Sequence, residues 1–264
     1  MRILNFLFSR SKQEQDKPIR DKLKTRKDFE RVLAEDLDIM ETTKARMDTA
    51  KNINLYMYRS LSYSYILILQ SKYSVDAKID ELRDIYIKSM HYFLQAFNKR
   101  NPIYADILNY VSLGVLLNIP DNNFRQLIDY VKQMDKQAKP SGWTPDLLLW
   151  FMLNSRMKEQ EKQKYAETLA YPRLYNGLYK VIQAPNAAAA KDALSKYLDR
   201  WYNLNSDAPW YNSHLKDNCY RGYWAWEVAA VAKIMHIDDS DLKNNQYYPY
   251  DMVHWEDNET TAKE

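Results

Sequence analysis

The chain of 264 residues reads as an all-α protein, a multi-helix bundle of antiparallel helical hairpins. Three observations predict this. There are 4 Gly and 9 Pro, too few for the turns of sandwiches, barrels or Gly-rich nucleotide loops. Apolar residues recur at steps of three and four along most long segments, which is the helical period. No segment shows the clean alternation of a half-buried strand. An apolar share of 46% with 28% charged residues excludes wholesale disorder, because there is enough apolar surface to offset chain entropy.

The elements follow in order. Residues 28–50 set Phe29, Leu33, Leu37, Met40 and Met47 at helical spacing, with Asp28 suited to the helix start. Residues 53–69 are apolar on most sides and should be buried. Residues 76–98 place Ile79, Leu82, Tyr86, Met90, Phe93 and Phe97 on one stripe, with Asp76 as the expected N-cap. Asn101-Pro102 breaks the chain. Helices are expected at 103–118 and 122–138, the second with Phe124, Leu127, Ile128, Val131 and Met134 on one face. Further helices are expected near 145–154, 161–182 (kinked or split by Pro172), 186–202 and 219–236. On the last, Tyr220, Trp224, Glu227, Val231 and Ile234 would share a stripe.

Two helices share a sequence ending. Asn118-Ile119-Pro120-Asp121 and His236-Ile237-Asp238-Asp239 both place Ile-x-Asp after an apolar helix, which reads as a common way of stopping a core helix. The stretch Lys139-Pro140-Ser141-Gly142-Trp143-Thr144-Pro145 is the best candidate boundary. The expected organisation is a basic tail at 1–27, helical subdomains at 28–139 and 145–255, and a tail at 256–264.

Charge is unevenly spread. Residues 1–31 hold ten Lys and Arg against five Asp and Glu, whereas residues 200–264 hold six against eleven. The front end reads as a solvated, frayed tail; a contact with nucleic acid or anionic lipid is the sharper alternative, but the stretch lacks interleaved aromatic residues for base stacking. The acidic back end is suited to attracting a basic protein. The single Cys219 excludes an intramolecular disulfide and points to a reducing compartment, the cytoplasm. No apolar run is long enough for a transmembrane helix.

Chemistry-bearing constellations are sparse. Glu227 sits among aromatic residues and needs donors: a Tyr hydroxyl, a Trp indole or an Arg such as Arg173. Asp76, Asp80 and Asp84 recur on one predicted helix face, the spacing with which all-helical prenyl-transfer enzymes hold magnesium-diphosphate, but Lys78, Glu81, Arg83 and Lys88 interleave with them as on a solvated face. Asp238-Asp239-Ser240-Asp241 reads as helix capping, because it lacks the Gly and later Glu of a calcium loop. The four His show no zinc-type pairing, and no third group completes a His214–Cys219 pair. No cofactor or metal is therefore expected.

The densest segment is 201–255. Gly222-Tyr223-Trp224-x-x-Glu227-x-Ala229-Ala230, then Ile237-Asp238-Asp239-Ser240, then Tyr248-Pro249-x-Asp251-Met252-Val253 resembles the C-terminal signature of the PoNi immunity family. Trp201-Tyr202, Pro209-Trp210-Tyr211-x-x-His214 and Ser112-Leu113-Gly114-Val115-Leu116-Leu117 also fit. The resemblance implies an all-helical, cytoplasmic, non-enzymatic antidote that binds and occludes a PoNe-type DNase toxin, with Gly222, Tyr223, Trp224, Glu227, Pro249 and Asp251 as structural signature. The resemblance assigns no contact residues; charge and position make Asp238, Asp239, Asp241, Trp210 and Tyr211 the candidates. A metal-dependent enzyme using Asp76, Asp80 and Asp84, and a general helical scaffold, are the alternatives.

Overall fold

The computed structural model describes residues 18–97, 103–136 and 143–261, with only the backbone described for Phe97 and residues 257–261. Among these residues the regular structure is helical, apart from one isolated bridge between Asp146 and Thr168. The chain divides into two compact units. The first comprises Met1–Lys99 with Asn212–Tyr223, and the second Arg100–Tyr211 with Trp224–Glu264.

In the first unit, α1 (Arg26–Thr49), α2 (Leu55–Ser74) and α3 (Ile79–Phe97) pack in sequence order, α2 touching both neighbours. Thr25 and Asp28 cap α1 reciprocally, each side chain accepting from the other's backbone amide. Asn54 caps α2 by accepting from the Met57 amide. Leu33, Met40, Leu61, Tyr65 and Ile68 form a core, with Leu37, Met47, Ile85 and Tyr92 against it. Buried serines line the packed side of α2, and Ser89 of α3 donates to the Ser62 carbonyl at 2.8 Å.

The part of the basic tail that is described is not frayed. Arg20 donates to the Tyr73 and Ala77 carbonyls at 3.0 Å and lies over the Tyr73 ring, while Arg26 reaches the Val75 carbonyl at 3.1 Å. The two cations thus satisfy the carbonyls that the end of α2 leaves open. Residues 1–17 of the expected tail lie outside the described residues. Asp76 is not the N-cap of α3. It ends α2 in the left-handed conformation at φ 77°, where Arg20 pairs with it at 3.1 Å.

Residues 212–223 complete this unit. Tyr220 donates to Asp21 and packs on Phe29 with ring centroids 5.7 Å apart. Arg221 donates to both oxygens of Asp36, at 2.9 and 2.7 Å, and the Arg221 carbonyl accepts from Ser74 at 2.9 Å. Gly222 turns the chain at φ 108°, a conformation that side chains strain to adopt.

The second unit holds α4 (Tyr104–Leu116), α5 (Asp121–Lys136), α6 (Leu147–Asn154), α7 (Pro172–Ile182), α8 (Ala187–Leu204), α9 (Trp226–Met235) and α10 (Tyr250–Thr261). The short helix α9 is central, in contact with α4, α6, α7, α8 and α10. It is buried on nearly every side from Trp226 to Ala232, as its apolar composition requires. Helices α7 and α8 approach closely. A Cβ at Gly177 would come within 2.7 Å of the Tyr197 ring, whose hydroxyl donates to the Leu174 carbonyl at 3.0 Å.

Several expectations are corrected here. Pro172 begins α7, where its missing N–H costs nothing, and residues 162–171 are not helical. The helix expected from 219 starts only at Trp226, because Gly222 and the contacts of residues 220–221 hold the preceding chain away from helical geometry. Tyr220 and Trp224 are therefore not on a stripe with Glu227. The expected C-terminal tail continues α10 to Thr261, and Glu256 pairs with Lys233 at 2.8 Å; residues 262–264 lie outside the described residues. Most of the boundary expected at 139–145 also lies outside them. Beside it, Asp135 accepts from the indoles of Trp143 and Trp150 and from the Tyr165 hydroxyl, at 2.8–2.9 Å.

The shared helix ending has a structural basis. Ile119 donates back to Gly114 and Ile237 to Ala232, each spanning five residues. In both, a left-handed residue, Asn118 or His236, precedes the buried Ile. This is the bonding of a Schellman stop.

Candidate partner-binding face

The signature residues divide between the two units. In the first, the Tyr223 hydroxyl is buried and meets the His214 backbone amide and Nδ1, both at 3.0 Å, and Ser213 at 3.2 Å. His214 thus has a tyrosine partner, and Cys219 is exposed.

In the second unit, Glu227 stands in the first turn of α9 and is 6% exposed. Its side-chain donor is the indole N–H of Trp201, at 2.6 Å. Arg173, one of the donors considered from sequence, instead pairs with Asp207 at 2.8 Å. Burial without a cation pushes the Glu227 carboxyl up to about 7, the indole hydrogen bond working against that rise. Burial raises the nearby hydroxyls of Tyr175 and Tyr197, with the Glu227 charge adding to the effect.

Above this carboxylate is an aromatic cluster that sequence composition announced but did not arrange. Trp201 stacks on Trp210 with centroids 5.4 Å apart and planes 17° from parallel. Tyr202 lies between Tyr211, at 4.5 Å, and Tyr247, at 5.3 Å. Trp201 is buried, whereas Tyr202, Trp210, Tyr211 and Tyr247 are half-buried. Pro209-Trp210-Tyr211 folds back after α8 to make these contacts.

The three late aspartates do different things. Asp238 and Asp241 are exposed, and Lys191 of α8 bridges them at 2.7 and 2.8 Å. Hydrogen bonds from Lys191 and Ser240 hold the Asp238 carboxyl well below the usual carboxylate range. Asp239 turns inward, 2% exposed, and accepts from the Tyr248 hydroxyl at 2.6 Å and His254 Nε2 at 2.7 Å. It fastens the start of α10 and is not presented at the surface. Pro249 is buried just before α10, with its carbonyl accepting from the Met252 amide, and Asp251 is exposed in the first turn of that helix. Trp224 is buried.

The face of three carboxylates proposed for a metal enzyme is not formed, because Asp76 is outside α3 while Asp80 and Asp84 are exposed on it. Among the described residues no group of three His, Cys, Asp or Glu could hold a metal ion.

These features define an all-α protein of two helical units; the second carries an aromatic cluster at the end of α8 and, separately, a pair of exposed aspartates bridged by Lys191. Residues 11–129 match the family model of the N-terminal region of PoNe immunity proteins (PoNi), and residues 144–252 match the model of their C-terminal region. The chain belongs to the PoNe immunity protein family. A similar fold occurs in the crystal structure of protein PA2201 from Pseudomonas aeruginosa, at 18% identity and a TM-score of 0.68 over 91% of each chain. None of the curated proteins matches the chain.

Proposed function

We propose that this protein protects its producer by binding a cognate PoNe-type DNase toxin and covering its DNA-binding groove, with no bond made or broken. The observation that carries the reading is the match of both halves of the chain to the immunity family. The acidic balance of residues 200–264 supports it, since a DNA-binding enzyme presents Lys and Arg that carboxylates can meet in place of phosphates. The proposed contact comprises Asp238 and Asp241, with Trp210 and Tyr211 as aromatic anchors. Asp239 is left out of it, since its carboxylate is engaged internally. An interface of ordinary size, about 1,600 Å² in total, suffices for tight binding if a few anchors pack well. The proposed compartment is the cytoplasm, where a nuclease meets the producer's DNA; no helix among the described residues is long and apolar enough to cross a membrane.

The test is inhibition. The neighbouring genes are searched for a PoNe-type nuclease, the purified chain is titrated against it, and DNA cleavage is followed. Cleavage ends near equimolar ratio, and the inhibitor is recovered unchanged. Full cleavage at molar excess overturns the reading.

A further inference from the structure

We propose that a cavity between the first turns of α5 and the chain that follows α6 binds a single oxyanion of phosphate size, through Arg125, Arg156 and Lys158. The site shares no residue with the nuclease contact proposed above and does not depend on it.

The cavity measures about 140 Å³. Drug-sized ligands fill roughly 300 Å³ or more, so this one suits a single small group. Its floor is apolar, made by Phe124 and Ile128, each 1% exposed. Its walls are charged. Arg156 lies over the Phe124 ring, 5.2 Å from the centroid, and donates to Asn118, to the Ile119 carbonyl and to Asp121. Arg125 donates to Glu161 at 2.9 Å. Lys158 is exposed and makes no hydrogen bond or ion pair among the described residues. The Arg125 hydrogen bond, helped by the Lys158 charge, holds the Glu161 carboxyl below its usual range.

This lining has donors to spare. A guanidinium carries five N–H groups and an ammonium three. Arg125 commits one bond to the chain, Arg156 three and Lys158 none. The two carboxylates that also line the cavity, Asp121 and Glu161, each already have an oxygen on a guanidinium. Three cations against two carboxylates leave the lining positive. At Lys191 the balance is reversed, since two aspartates hold one ammonium. The ion pairs of the cavity also fix its guanidinium planes, so little side-chain freedom remains to be lost on binding. A cation is repelled there, and a neutral group leaves the charge unused. A carboxylate offers two oxygens to donors from three side chains, whereas a phosphate offers three or more.

The experiment titrates the isotope-labelled full chain with inorganic phosphate at constant ionic strength, with chloride as the balancing anion. The amide signals of residues 121–128 and 156–161 shift saturably. Lys158→Met and Arg125→Met each raise the half-saturation concentration about tenfold. Both residues are exposed, so both variants keep the fold. Lys180→Met, which removes the same charge outside the lining, leaves binding unchanged. A mononucleotide is then compared with free phosphate. Tighter binding of the mononucleotide identifies the ligand as the phosphate end of a larger molecule, and equal or weaker binding identifies free phosphate. No saturable shift at these amides, shifts that chloride alone reproduces, or a Lys158→Met or Arg125→Met protein that binds phosphate as the parent does would overturn the inference.

Discussion

Asp36 in the first unit and Glu227 in the second are both carboxylates buried in helical cores, and they are satisfied in opposite ways. Asp36 is 2% exposed and takes two hydrogen bonds from Arg221. Glu227 is 6% exposed and takes one from a neutral indole. Burial raises both carboxyls on balance; the Arg221 guanidinium works against the rise at Asp36, and the Trp201 indole and the Glu227 amide work against it at Glu227. The first unit is thus clasped by a fixed ion pair, while the second contains a carboxylate that gives up its charge close to neutrality. A buried pair is no guarantee of stability, but removing one member leaves an uncompensated charge.

That contrast can be broken at either end. The largest effect is expected for Arg221→Met, which strands Asp36 and lowers the unfolding free energy by about 3–5 kcal/mol. A urea midpoint close to the parent's would show that the clasp is not structural. Next comes the pH dependence of the second unit. The Glu227 carboxyl holds its proton to about 7 in the folded protein, against about 4.5 for the ordinary side chain. The folded state therefore binds more protons between those values, and stability present below the lower one is lost as pH rises through the upper. The loss is on the order of 3 kcal/mol. Glu227→Gln keeps an acceptor for the indole and flattens the slope. Urea titrations across this range check it; an unchanged slope would contradict the role given to Glu227.

Gly222→Ala should cost about 1–3 kcal/mol, because the φ of 108° strains any side chain there. The smallest effect is expected for Lys191→Met. Its ion pairs with Asp238 and Asp241 are exposed, and such pairs contribute little. The thermal midpoint should stay within measurement error, and a clear fall would mean that the bridge is structural.

What the sequence made legible was local. Asn186 before four alanines marked the start of α8, and its side chain caps the Ala189 amide at 2.9 Å. The repeated Ile-x-Asp marked two helix stops that share one bonding pattern. The demand that Glu227 find a donor followed from burial alone. The identity of that donor did not, since Trp201 is 26 residues away and becomes a neighbour only when α8 packs on α9. The same limit explains residues 219–225. Their apolar and aromatic pattern reads as helix, but Arg221 is committed to Asp36, 185 residues distant, and periodicity carries no trace of such a partner. Asp238, Asp239 and Asp241 look equivalent in sequence, yet only packing decides that Asp239 faces Tyr248 and His254.

The most direct test of the partner-binding face is amide hydrogen exchange of the full chain, alone and with the nuclease. The account predicts slowed exchange at 199–211 and 238–247, with α1 to α3 unchanged. Protection confined to α1, α2 and α3 would contradict it.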